Sequence, residues 1–295
     1  MIAMKKLLIT LSMLLLAVLV LAQDAPLNIV VLGAHPDDCE ADAGGTAILF
    51  AQMGHRVKFV SLTNGDAGHF AMGGGELARV RYAEAQEAGR IYGVLEYVVL
   101  DNHDGELMPT LENRKQVIRE IRTWNADVVI GPRPNDYHPD HRNTAILMQD
   151  AAYMVIVPNI VPDVPPLKKN PVFMFAMDRF QKPNPFEPDV AIDIDAVFMQ
   201  KIEGLAAHAS QQFEWLPWTS GTLESIPEGE KERLDYLANR RRNTPSETIR
   251  ESLREWYGNH AEEVRHAEAF EVCEYGKQPG KEELRRLFPM LPPED

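Results

Sequence analysis

Two short stretches of this chain hold imidazole and carboxylate groups close together: Ala34-His35-Pro36-Asp37-Asp38 and Tyr137-His138-Pro139-Asp140-His141. Two imidazoles and a carboxylate, from His35, Asp38 and His141, make a donor set that binds a divalent ion such as Zn2+ and leaves a position open to water. Asp37 would then stand beside the ion without ligating it, where a carboxylate can take a proton from water as general base. His138 would face the ion from the other side, protonated, as an acid/base group or a donor to a developing oxyanion. Pro36 and Pro139 stiffen the two turns and so fix the ligand directions. A single His-Pro-Asp is also an ordinary loop in which Asp caps a helix. The same donors accept Fe2+, Co2+ or Ni2+, so they name a class of metal and not an element.

The surrounding elements decide whether the two stretches can meet. Residues 27–33 are a continuous apolar, β-branched run, the pattern of a parallel strand covered on both faces. A helix is expected over 43–53, a strand over 56–63, a helix over 76–92 ended by Gly93, and a strand over 97–100. A third helix over 110–124, a fourth strand over 128–131 and a helix over 141–155 follow. Strands alternating with helices mean βαβ units, and the fold expected is α/β: a Rossmann-like, mostly parallel sheet with helices on both faces. In the doubly wound order strand 1 lies beside strand 4, and ligands bind outside the carboxyl ends of the strands at that switch point. Both stretches follow those two strands, which puts the metal site there.

The second half is less regular. A proline-rich loop is expected over 157–171, strands over 173–177 and 190–194, a helix over 195–212 and a long loop over 213–229. Charged helices over 230–242 and 246–257, a short strand over 269–275 and a terminal helix over 281–288 complete the chain. No linker or repeat divides it, so residues 23–295 read as one domain. Residues 1–22 read as a secretory signal: Lys5-Lys6, then an apolar run from Leu7 to Ala22, then polar Gln23-Asp24. That implies an exported protein, periplasmic or extracellular, with no membrane span after cleavage.

Of 295 residues, 45% are apolar and the formal net charge is −14. A core is affordable, and the acidic balance argues against nucleic acid as a partner. The two cysteines, Cys39 and Cys273, make no disulfide framework and are expected as free thiols.

The paired Ala-His-Pro-Asp-Asp and His-Pro-Asp-His motifs resemble those of the PIG-L/LmbE-like zinc-dependent N-acetylglucosaminyl deacetylases. Thr63-Asn64-Gly65-Asp66-Ala67-Gly68, Arg81 with Glu84, Asp101 to Gly105, and Lys201 through Leu205 and His208 to Gln211 are similar to further family segments. The resemblance implies zinc on His35, Asp38 and His141, Asp37 as general base, His138 as oxyanion stabiliser or proton donor to the leaving amine, and Arg81 as a substrate-holding residue. It implies hydrolysis of an N-acetyl group on an N-acetylglucosamine-containing sugar or glycoconjugate. A metallo-amidase acting on a non-sugar amide and a non-catalytic carbohydrate-binding relative are the alternatives.

Other residues carry weaker signals. Asp140 either orients a histidine or caps the helix that follows. Asp101 and Asp104 fit turn capping, and His69 fits an exposed loop histidine. His208 fits a helix end, where an imidazole favours the dipole. Trp215 and Trp218 suit either a sugar ring or a packed core, and Arg240-Arg241-Arg242 suits a solvated helix end.

Overall fold

The computed structural model describes residues 25–294; the secretory-signal reading of residues 1–22 lies outside them. β1 (Asn28–Gly33) is buried along its whole length. Ile29 and Val31 face one core, Val30 and Leu32 the other, so both faces of the strand are covered by helices. With β2 (Arg56–Ser61), β3 (Glu96–Val99), β4 (Val128–Gly131), β5 (Val172–Ala176), β6 (Val190–Asp193) and β7 (Ala267–Val272) it forms one seven-stranded sheet in the order β3-β2-β1-β4-β5-β7-β6. β1 pairs in parallel with both β2 and β4, as the switch-point reading requires. β7 runs antiparallel between β5 and β6, so strands from the two halves of the chain share one sheet.

The first helices form where their end signals lie. α1 (Asp38–Gln52), α2 (Gly74–Tyr92), α3 (Leu111–Trp124) and α4 (Pro139–Met154) alternate with the parallel strands. Gly93 ends α2 in the left-handed conformation, and the Thr110 side chain accepts the Asn113 N–H at the start of α3. α1 begins at Asp38, earlier than its periodicity indicates, and is kinked at Ala43. The kink is held from far along the chain. The Glu268 carboxylate accepts the N–H groups of Gly45 and Thr46 at 2.8 and 2.7 Å. Lys201 Nζ pairs with that carboxylate at 2.6 Å and also donates to the Ala41 carbonyl. A carboxylate on exposed helical N–H groups is the favourable end of the helix dipole, here placed inside a helix.

The second half departs further from expectation. The helix expected over 195–212 is α5 (Phe198–Ala207), a break at His208, and a π-helical turn from Ser210 to Trp215. The latter continues into the short α6 (Leu216–Thr219), within the stretch read as loop. α7 (Glu230–Arg240), α8 (Glu247–Tyr257) and α9 (Lys281–Leu287) follow. Gly204 lets α5 lie against Tyr92, because a Cβ there would fall 1.8 Å from the tyrosine ring. Both cysteines are buried free thiols; Cys39 Sγ points to the Val31 and Val60 carbonyls and so into the core, away from its neighbour Asp38. No described helix is long and apolar enough to cross a membrane.

Candidate metal centre and active site

β1 ends at Gly33, and the chain turns through Ala34 to Asp37 into α1. Asp37 takes φ 122°, a conformation rarely adopted by a residue with a side chain. The turn is closed by Asp38, whose Oδ2 accepts the N–H groups of Ala34 and His35 at 3.0 and 2.7 Å. β4 delivers the second stretch, and His138 caps α4 by accepting the Asp140 N–H at Nδ1.

Three donor atoms then meet. His35 Nδ1 lies 3.2 Å from Asp38 Oδ2, His141 Nε2 lies 3.3 Å from the same oxygen, and the two nitrogens are 3.3 Å apart. Ligands at about 2.0 Å from a tetrahedral ion stand about 3.3 Å from one another, so this triangle fits one face of such a site. The opposite nitrogens rest on carboxylates. His35 Nε2 is 3.0 Å from Asp104 and 3.3 Å from Asp140, and His141 Nδ1 is 3.2 Å from Asp136. Donation to those carboxylates directs each inner nitrogen's lone pair toward Asp38, the arrangement that orients metal-binding imidazoles. Two further donor groupings are compact enough for an ion, His35 with His138 and His141, and His35 with Asp104 and Asp140. In the latter, fully buried Asp140 is already engaged by the N–H groups of Gly105 and Leu107.

The electrostatics follow. Burial opposes charge on His35, but Asp104, Asp140 and Asp38 overcome it and raise its pKa well above the ordinary value. Burial likewise opposes charge on His141, yet Asp38 and Asp136 push it up to about 11. Burial works against the Asp38 carboxylate, and the two histidines nevertheless hold it well below the usual range. Positive charge is therefore favoured in the triangle, as protons or as a cation. Asp37 differs. Burial, together with repulsion from Asp38, lifts it to about 6, a suitable range for a general base.

His138 stands 4.6 Å from His35 and 5.1 Å from His141, measured between ring centres. Burial and these two imidazoles lower its pKa. Its Nδ1 accepts a backbone N–H, which an imidazolium cannot do. Both features favour a neutral ring that carries its proton on Nε2.

A cavity of about 720 Å3 opens over these groups. Arg81 lines it, buried, with one guanidinium nitrogen on the Gly68 carbonyl at 2.7 Å, whereas Arg79 is exposed. Trp215 lines it too and stacks on Trp218, which is half exposed.

The chain is similar to proteins of known kind. The PIG-L family pattern, described as GlcNAc-PI de-N-acetylase, matches residues 30–152. A diacetylchitobiose deacetylase of Thermococcus kodakarensis is 30% identical over 200 residues, which cover 65% of this chain and 73% of that protein. The chain belongs to the PIG-L family. Among solved structures, N,N'-diacetylchitobiose deacetylase from Pyrococcus horikoshii aligns with a TM-score of 0.62 at 24% identity, over 86% of this chain and 87% of that one. GalB, the 4-carboxy-2-hydroxymuconate hydratase of Pseudomonas putida, also reaches 0.62 at 17% identity, over 85% and 98%. At these identities the structures share the fold with the PIG-L chain, and a hydratase among them shows that the fold alone does not name a reaction.

Several members of this PIG-L site escape the sequence reading. Asp104 is a partner of His35, not merely a turn residue. Asp136 backs His141, and its only signal is its place two residues before His138. His69 is not an exposed loop histidine; its side chain is covered and rests on Glu214 at 2.8 Å, joining the glycine-rich loop to the π-helical turn. His208 is wholly buried on Glu40 at 2.8 Å. Arg241 is not a solvated helix end but lines the cavity.

Proposed function

We propose that this protein is a metal-dependent hydrolase that removes the N-acetyl group from an N-acetylglucosamine-containing substrate, releasing acetate and a free amino sugar. The observation that carries the reading is the triangle of His35 Nδ1, Asp38 Oδ2 and His141 Nε2 with the Asp37 carboxyl beside it, in a PIG-L chain. His35, Asp38 and His141 are the residues that would hold the ion. Asp140 and Asp104 lie behind His35, on its other nitrogen, and serve as its orienting partners. Zinc suits the donors, as do Fe2+ and Co2+.

A divalent metal there supplies Lewis-acid polarisation of water and of the acetyl carbonyl. Asp37 removes a proton from the water as its oxygen bonds to the carbonyl carbon. The His138 Nε2–H donates a hydrogen bond to the oxygen that gains negative charge. The carbon–nitrogen bond then breaks, and the proton held by Asp37 passes to the departing amine. Arg81 holds substrate from the cavity wall, and Trp215 offers an aromatic face to a sugar ring. The positively charged start and apolar run of residues 5–22 support export, and N-terminal sequencing of secreted material checks it.

The test is acetate release from N-acetyl sugars and non-sugar acetamides, before and after chelation and with metal restored. Release from sugars that is lost on chelation and regained with metal is expected. Turnover of the non-sugar amides alone moves the reading to an amidase, and sugar binding without turnover moves it to a lectin-like relative.

A further inference from the structure

An Asp that works as a base must present one oxygen to water, and Asp37 sits in a backbone conformation that its neighbours have to enforce. Gln212 Nε2 donates to Asp37 Oδ2 at 2.8 Å, and both side chains are buried. Arg241 Nη2 in turn donates to Gln212 Oε1 at 3.1 Å. We propose that Arg241 is a positioning residue for the hydrolysis, acting through the Gln212 amide on the Asp37 carboxylate; this rests on the hydrolase reading above.

A glutamine amide has nearly the same shape in its two flipped orientations, so its neighbours decide which end faces which. Guanidinium can only donate, and it claims Oε1. The NH2 end is left for Asp37. Flipped, Gln212 would set a carbonyl oxygen against a carboxylate oxygen in a buried site, where neither acceptor would find a donor. With the amide fixed, Asp37 Oδ2 is engaged, and among the described residues no hydrogen bond reaches Oδ1, which is left to receive a proton.

Gln212 sits in the π-helical turn, where one extra residue per turn sends Gln211 to the cavity and Gln212 to Asp37. Arg241 has no carboxylate partner among the described residues, although acidic side chains outnumber basic ones by 44 to 30. It immediately follows α7, which is docked on the same turn by Arg233 over the Phe213 ring at 5.2 Å. Both residues lie beyond the segment that matches the family pattern.

The experiment compares Arg241→Leu, Gln212→Leu, the double variant and Arg241→Lys, with N,N'-diacetylchitobiose as probe. The expected result is a kcat about 100-fold lower in Arg241→Leu, with KM, bound metal and melting temperature near wild type. The double variant should be no worse than Gln212→Leu, and Arg241→Lys should recover most of the loss. Losses that multiply in the double variant, or that fall on KM, would make Arg241 a substrate contact and overturn the proposal. A crystal structure of Arg241→Leu decides without turnover: Asp37 rotated or Gln212 withdrawn supports the relay, and an unchanged Gln212–Asp37 contact overturns it. An inactive wild type sinks the hydrolase reading and leaves the crystallographic result to decide the positioning.

Discussion

His35 Nε2 lies 3.0 Å from Asp104 Oδ1, on the side of the ring away from Asp38. The carboxylate fixes the tautomer, so that Nδ1 presents its lone pair to the proposed ion. Asp104→Ala should therefore weaken zinc binding about 10- to 100-fold, as read by competition with a chromophoric chelator. Unchanged affinity would show that Asp140 orients the ring unaided.

Asp37 and Asp38 are adjacent, and the proposed reaction gives them different work. Asp38→Asn should lose bound metal. Asp37→Asn should keep it while kcat falls by a factor on the order of 100 to 10,000. Asp37→Gly should be equally inactive and more stable than Asp37→Ala by about 1 kcal/mol, because both lose the Gln212 contact and only glycine relieves the φ of 122°. Metal analysis, acetate release and thermal melts read the three outcomes, and appreciable turnover in Asp37→Asn would remove the base assignment.

His208 is wholly buried on Glu40, with Asp37 and Glu84 as further acidic neighbours. Burial opposes its charge, but Glu40 and the others raise its pKa above the ordinary value. A raised folded-state pKa binds the proton more tightly in the folded chain. The resulting stability is complete below about pH 6.5 and is lost as pH rises through the folded value. Melting temperature should fall between pH 6.5 and 9 more steeply in the wild type than in His208→Gln. Parallel curves would mean that the pair does not titrate in this window.

Gly33 is where β1 meets the turn that carries His35 and Asp38. A Cβ there would come 2.8 Å from the Asp38 Cβ and 3.1 Å from the Cys39 Sγ. Gly33→Ala should destabilise the chain by about 1–3 kcal/mol and lower metal affinity by displacing Asp38. A calorimetric titration of the variant with zinc checks this, and wild-type affinity would show that the turn absorbs the methyl group.

The pairing of the first strand with the fourth and the two motifs were legible because their causes are local, whereas the antiparallel place of β7 between β5 and β6 was not. A strand buried on both faces needs a continuous apolar run, as in residues 27–33, and His, Asp and Pro declare their chemistry wherever they stand. The parallel order β2-β1-β4 then brings His35 and His141 together. By itself the sequence determined this much: the α/β architecture, the two His/Asp stretches and the resemblance to the PIG-L family. The partners that make those stretches a site were decided by tertiary structure. Asp104 meets His35 only because the loop after β3 folds over the carboxyl end of β1, and nothing local separates it from a turn residue. Asp37 meets Gln212, 175 positions away, through a π-helical turn that helical periodicity does not reveal. The early start and kink of α1 depend on Glu268 and Lys201 from the second half. Hydrogen bonds between distant segments leave no period in the chain, so they become visible only once the fold has closed.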